Sequence, residues 1–192
     1  MSTAEYITTF ASIVVGLAFA DLLMSFHRLV RARRTVQWDW LAVASALLVV
    51  LTIVQAWWRF FAVWTAQPTF SFGQFLPDLL SLTLLFFLAA ASLPDEVPSS
   101  GVDLREYYDE NRPYFWGLFA AYVLVVTLNR IGRQLNLDVS SVDVARINTI
   151  NLISIGLMSI LIFTKRRWVH GAVLLVFLAF LSTTWIRLTI AG

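Results

Sequence analysis

The chain of 192 residues contains no cysteine, two histidines and few charged side chains. The absence of cysteine excludes disulfides and thiolate metal sites. Charged residues make up 14% of the chain and hydrophobic residues 59%, whereas soluble domains average about 25% charged and roughly 45–50% apolar. With a mean hydropathy of +0.75, the composition predicts a single-domain integral membrane protein covering 1–192.

The sequence also lacks the motifs of catalysis and of nucleic-acid binding. It has no glycine-rich phosphate loop, no metal-ligand spacing and no nucleophile–base arrangement. The net charge is only +2, and the basic residues stand at the ends of apolar runs. We therefore expect no enzyme activity, no catalytic residue, no metal site, no cofactor and no nucleic-acid partner.

Long apolar runs fill most of the chain. A hydrocarbon core of about 30 Å requires roughly 20 apolar residues in a helix. Six segments meet this requirement, each bounded by charge, proline or aromatic residues: 6–28, 40–62, 72–93, 114–134, 145–164 and 168–188. The predicted fold class is all-α, an integral membrane bundle of six transmembrane helices.

Lysine and arginine are divided unequally between the two sides of this predicted bundle. Nine lie on the side of the loops 29–39, 94–113 and 165–167, and five lie on the other side. By the positive-inside rule, these loops face the cytoplasm and both termini lie outside.

The segment 94–113 is the one long polar stretch and carries six of the twelve acids. Asp103 and Glu106 have the spacing of a capping box, which predicts a short helix over 104–111. Ser140 and Asp143 form a second cap signal, before the fifth span. The segment 94–113 is either a solvated connection between spans or a docking surface for a protein partner.

Two stretches resemble known proteins. VQAWWRFF (54–61), and LPDE followed by VDLREYYDENRPYF (93–96, 102–115), are similar to segments of a group of small bacterial six-span proteins. The resemblance rests on short matches and extends over most of the chain. It implies a multi-pass protein of the bacterial inner membrane and transfers no functional residue.

One internal similarity points to duplication. SFHRLVR (25–31) and TLNRIGR (127–133) match in residue type at five of seven positions. They end the first and fourth predicted spans, which finish on opposite sides of the membrane. A weak 3+3 inverted repeat, a pattern common in transporters, would produce this arrangement. Arginine-rich helix ends that coincide by chance are the alternative.

Polar residues recur along the predicted spans at steps of three, four and seven. Such steps keep side chains on one helix face, and polar faces avoid lipid. We therefore predict that they converge on a transport or binding path, whose residues are Asp21, Gln55, Arg59, Asp78, Asn129, Arg130, Arg133, Asn148, Asn151 and Arg187.

Basic residues dominate the outer half of this predicted path. Five arginines stand at the outer helix ends (Arg59, Arg130, Arg133, Arg146 and Arg187), near the acids Glu5, Asp78, Asp138 and Asp143. A basic vestibule suits an anionic solute or a lipid head group, because guanidinium groups match carboxylate and phosphate. The alternative is structural: arginines reach to the interface, and polar side chains join helices.

Two acids within the spans have separate predicted roles. Asp78 is expected to pair with Arg59, either as a structural ion pair or as a gate. Asp21 lies toward the cytoplasmic half. It is predicted either to pair structurally, for example with Arg28, or to couple the movement of a proton or cation.

These features predict a small channel or carrier for an ion or a small anionic solute, working as a homo-oligomer in the lipid bilayer. The first alternative is a non-transporting interaction or regulatory subunit that docks through 94–113. The second is a haem-binding or other membrane redox protein, with His27 and His170 as ligands.

Overall fold

The computed structural model describes residues 3–65, 72–135 and 140–187, and their side chains over 5–64, 73–135 and 140–183. Helices dominate these ranges, and the all-α prediction is confirmed. The elements are α1 (Thr3–Arg31), β1 (Val36–Gln37), α2 (Trp40–Thr65), α3 (Phe72–Ser92), β2 (Val102–Asp103), α4 (Leu104–Leu135), α5 (Ser141–Phe163) and α6 (Arg167–Arg187).

Five of the helices, α1 to α5, are long and apolar enough to cross a membrane. Helix α6 is apolar over a shorter described stretch, Arg167–Thr183. Large apolar side chains such as Leu17, Ile153 and Leu175 are more than half exposed on the outside of the bundle. These features fit a multi-pass membrane protein, because lipid accepts an apolar surface that water would not.

Side-chain caps begin three of the helices, where backbone amides have no partner within the helix. The Asp39 carboxylate accepts two amides of the first turn of α2, at 3.0 and 3.3 Å. Asp103 does the same for α4, at 2.8 and 3.4 Å. The Ser140 hydroxyl accepts the amide of Asp143 at 3.2 Å. The two predicted capping residues, Asp103 and Ser140, therefore both cap helices.

Helix α4 differs from the prediction, because the short helix 104–111 and the span 114–134 form one continuous helix. Pro113 lies inside it, where it lacks the N–H for one helical bond and its ring crowds the carbonyl four residues earlier. Continuity follows from a single buried stripe that crosses the proline, formed by Leu104, Tyr108, Phe115, Phe119 and Tyr122. Its steps of three, four and seven keep one helix face in contact with the bundle.

Two very short strands join the first and third connections of the chain. Val36 pairs with Val102 and Gln37 with Asp103, in parallel register. Gly101 precedes β2 with a φ of 91°, and a Cβ at this position would lie 2.2 Å from the Thr35 carbonyl oxygen. Glycine is required here because it alone combines a left-handed backbone with so close an approach.

Helices α1, α2, α3 and α4 form the centre of the bundle, with α5 packed against α4 and α6 against α2. Residues 32–39, 93–103 and 164–166 connect helices at one end, which we call the loop end. Arg167 joins these connections, since its guanidinium bonds both Asp39 and Asp109. The three loops that were predicted to share one side of the membrane therefore meet.

Candidate functional site

A cavity of about 330 Å³ lies between α2, α3 and α4, at the opposite end of the bundle from the loop end. We call it the basic cavity. It brings together five of the residues that the polar stripes single out: Arg59, Asp78, Asn129, Arg130 and Arg133. The rest of its lining is Ala56, Phe60, Val63, Trp64, Ser81, Leu82, Tyr122 and Val126.

Asp78 is the centre of a compact hydrogen-bonded cluster in the wall of this cavity. Its Oδ2 accepts from the Arg133 guanidinium at 2.6 Å, and its Oδ1 accepts from the Asn129 amide at 2.6 Å. The Trp64 side chain bonds the same carboxylate. Asn129 and Arg133 stand four residues apart on α4, and one face of that helix therefore supplies both partners.

The prediction that Asp78 pairs with Arg59 is wrong, because Asp78 pairs with a different arginine. The carboxylate bonds Arg133, whose guanidinium also lies over the Trp64 ring, 5.5 Å from its centroid. The reason is helix packing: α3 contacts α4 extensively, and Arg133 lies on the α4 face that meets Asp78. Arg59, on α2, instead lies near the hydroxyl of Tyr122 across the cavity.

The electrostatics of the basic cavity are one-sided. Asp78 is the one carboxylate among its lining residues, against three arginines. Arg133 bonds Asp78 and Arg59 bonds the Tyr122 hydroxyl, while the guanidinium groups of Arg59 and Arg130 both line the cavity. These two guanidinium groups act unfavourably on each other. An anion placed between them would relieve that repulsion and could accept hydrogen bonds from both.

A smaller cavity of about 100 Å³ lies next to the basic cavity, toward the middle of the bundle. The two share Arg59, Tyr122 and Val126 as a common partition. Gln55 and Asn151, both singled out in the sequence, line the smaller cavity together with apolar side chains of α5 and α6.

Asn148 lies away from both cavities. Its side chain is fully buried between α4 and α5, where its amide donates to Gln134 and to the Val144 carbonyl, each at 2.8 Å. Its role in the described structure is therefore to join two helices. The side chain of Arg187 and the whole of Asp138 lie outside the described residues.

Asp21 lies in a separate, open cavity of about 700 Å³ at the loop end. Arg28, Arg31, Asp95 and Glu96 line it as well. Arg28 donates to the Asp95 carbonyl at 2.6 Å, and Ser25 donates to the Asp95 carboxylate at 3.3 Å. Asp21 is thus remote from the basic cavity, and it stands among charges of both signs.

The two histidines do not fit a bis-histidine haem. His170 is buried, and both of its ring nitrogens bond protein atoms: Nδ1 meets the Tyr108 hydroxyl at 2.9 Å, and Nε2 meets the Thr164 carbonyl at 2.9 Å. A haem ligand needs one ring nitrogen free for the iron. His27 is exposed on α1. Over the described residues, no group of three or more potential metal ligands forms.

Sequence reasoning identified the charged lining of the basic cavity and missed its apolar lining. Phe60, Leu82 and Val126 line it, and Trp64 is completely buried beside Arg133. Apolar side chains recur on every face of these helices, so no periodic signal separates the cavity wall from the lipid-facing surface.

Comparison with known proteins identifies no relative: the chain matches no family model, no curated protein and no solved structure.

Proposed function

We propose that this protein is a membrane carrier or channel that binds a small anionic solute in the basic cavity. One observation carries the proposal. Three arginines and one carboxylate line the basic cavity, and that carboxylate, Asp78, already bonds Arg133 and Asn129. Among its described lining residues the cavity therefore carries an excess of positive charge, with three arginines against one carboxylate.

The size and position of the cavity support this proposal. Sites for small molecules occupy about 300–1,000 Å³, and the basic cavity, at about 330 Å³, is at the lower limit of that range. Ionisable groups within spanning helices are costly to insert into a bilayer, which argues that three arginines on two helices are retained for a purpose.

The path that we propose leads from the basic cavity past Arg59 and Tyr122 into the smaller cavity lined by Gln55 and Asn151. Asp21 stands at the other end of the bundle. We assign to it the role of an inner gate or coupling acid, because an anion leaving toward the loop end would pass close to its charge.

The proposed setting is the bacterial inner membrane, with six spans, the loop end in the cytoplasm and both termini outside. The excess of lysine and arginine at the loop end supports this orientation. The basic cavity forms within one protomer, so solute binding does not require a second copy. We propose homo-oligomer formation separately, and solute binding does not depend on it.

Docking of a partner through 94–113 finds less support. Three of the six acids in this segment are used inside the chain: Asp95 bonds α1, Asp103 caps α4 and Asp109 bonds Arg167. The segment is thus a folded connection that holds the loop end together, with Glu96, Glu106 and Glu110 exposed.

Flux measurements test the proposed function. Purified protein in liposomes is compared with protein-free liposomes for the uptake of labelled phosphate, succinate and benzenesulfonate, which do not cross a bilayer as neutral acids. We expect uptake of at least one anion, and a loss of at least tenfold in Arg59→Gln and Arg130→Gln. Arg146→Gln, an exposed arginine outside the cavity, is the matched control and should retain uptake.

The proposal fails if none of the three anions moves faster than in protein-free liposomes and if Arg59→Gln binds them no more weakly than the wild type.

A further inference from the structure

The basic cavity has a charged lining and an apolar lining. Arg59, Arg130 and the Asp78–Arg133 pair form the charged lining. The apolar lining is formed by Ala56, Phe60, Val63, Trp64, Leu82 and Val126. An inorganic anion such as phosphate or chloride would use only the charged lining.

We propose that the solute of this site is an amphipathic organic anion, a carboxylate carried on an aromatic or branched apolar body. This inference rests on the proposed function and deepens it. The carboxylate lies between Arg59 and Arg130, and the apolar body fills the space beside Phe60, Leu82 and Val126.

Three physical reasons favour this class of solute over a small inorganic anion. A volume of about 330 Å³ exceeds what an acetate or a phosphate fills, and empty space beside an apolar wall forgoes dispersion contacts. Each methylene that moves from water into an apolar site raises affinity about fourfold. The guanidinium groups of Arg59 and Arg130 can donate to the two oxygens of one carboxylate.

Ala56 is the residue that tests the role of the apolar lining. It is buried on α2, with 8% of its surface exposed, and its methyl group lines the basic cavity. Ala56→Leu places three further carbon atoms in the space that the apolar body would occupy, and it leaves the arginines in place. Ala62 is exposed on the same helix, so Ala62→Leu is the matched control.

Binding is measured by calorimetry on the purified, full-length protein in detergent at neutral pH. The probes are benzoate, acetate, inorganic phosphate and benzyl alcohol, a neutral analogue of benzoate. We expect benzoate to bind at least tenfold more tightly than each of the other three. Ala56→Leu should weaken benzoate binding at least tenfold and leave acetate binding within about twofold, whereas Ala62→Leu should change neither.

Two results overturn the inference in different ways. If phosphate and acetate bind as tightly as benzoate and Ala56→Leu weakens none of them, the site takes small anions. The proposal that the solute carries an apolar body is then wrong. The proposed function then stands. If no anion binds and Arg59→Gln and Arg130→Gln change nothing, the proposed function fails together with the inference. Should Ala56→Leu not fold, the series acetate, butyrate and benzoate gives the same test on the wild type.

Discussion

The hydroxyl of Tyr108 donates a hydrogen bond to Nδ1 of His170 across 2.9 Å. The direction of this bond follows from the other ring nitrogen, because the Thr164 carbonyl can only accept and Nε2 must therefore carry the proton. The indole of Trp116 in turn donates to the Tyr108 oxygen at 3.1 Å. A chain of oriented hydrogen bonds thus connects α4, α6 and the end of α5 inside the bundle.

Tyr108→Phe should destabilise the protein by about 1–3 kcal/mol, because it leaves the Trp116 N–H and the His170 Nδ1 buried without this partner. Thermal unfolding in detergent measures the change. Tyr114→Phe is the matched control, since Tyr114 lies on the same helix with 55% of its surface exposed. Equal unfolding midpoints for the two variants would contradict the role given to this chain of bonds.

Arg167→Gln should loosen the loop end. Arg167 bonds Asp39 and Asp109, and it lies over the Tyr108 ring. Removing the guanidinium leaves the half-buried Asp39 carboxylate without its cation, at a cost of about 1.5–3 kcal/mol. Hydrogen exchange of the amides in 36–39 should accelerate. Arg166→Gln is the control, because Arg166 is an exposed neighbour. If these amides exchange no faster in Arg167→Gln than in Arg166→Gln, the prediction is refuted.

Gly101→Ala should separate β2 from β1. The new Cβ would lie 2.2 Å from the Thr35 carbonyl oxygen, the atom that accepts the Val102 amide. The left-handed backbone adds a penalty of about 1–2 kcal/mol. We expect faster exchange of the Val102 amide and a lower unfolding midpoint. Gly132→Ala, which meets nothing within 4 Å, is the control. If the Val102 amide still exchanges slowly in Gly101→Ala, the prediction is contradicted.

Asp78→Asn should change the preference of the basic cavity between singly and doubly charged anions. The substitution keeps the shape of the side chain and removes the one carboxylate of the cavity lining, so the excess positive charge rises by one. A further unit charge at several ångströms contributes on the order of 1.4 kcal/mol, a factor of ten. The ratio of phthalate to benzoate affinity should rise about tenfold by calorimetry. Glu110→Gln, at the loop end, should leave the ratio unchanged; a fall in the ratio for Asp78→Asn would contradict this prediction.

The orientation can be tested directly because the chain contains no cysteine. Arg34→Cys at the loop end and Val142→Cys, where 75% of the valine is exposed, introduce one thiol each. A membrane-impermeant maleimide should label Val142→Cys in intact cells, and Arg34→Cys only after the cells are broken. The reverse pattern would invert the orientation. If both thiols were labelled from the same side of the membrane, this would contradict the three crossings, by α2, α3 and α4, that separate residues 34 and 142.

The helix positions were predictable because the thickness of a bilayer sets the length of an apolar run. The stripe on α4 also placed Asn129 and Arg133 on one face, and both bond Asp78. Which arginine bonds Asp78 was not predictable. The choice between Arg59 and Arg133 depends on how far each helix is rotated about its axis, which residue spacing within one helix does not determine.

Features that depend on distant pairs were also missed. Strands of two residues carry no periodic signal, so β1 and β2 left no pattern in the sequence. Tyr108 and His170 are 62 positions apart, and their contact depends on the packing of α4 near α6. The continuity of α4 through Pro113 was missed because proline usually ends a helix. The buried stripe on both sides of it outweighs that tendency.

The pairing of Val36 with Val102 also bears on how the chain is assembled during synthesis. The two strands flank α2 and α3 in the sequence, so they meet only after both helices have been made and have folded back against each other. A ribosome must therefore have passed residue 103 before this contact exists. Until that point the connection between α1 and α2 has no strand partner, and the order of synthesis requires α2 and α3 to be made first.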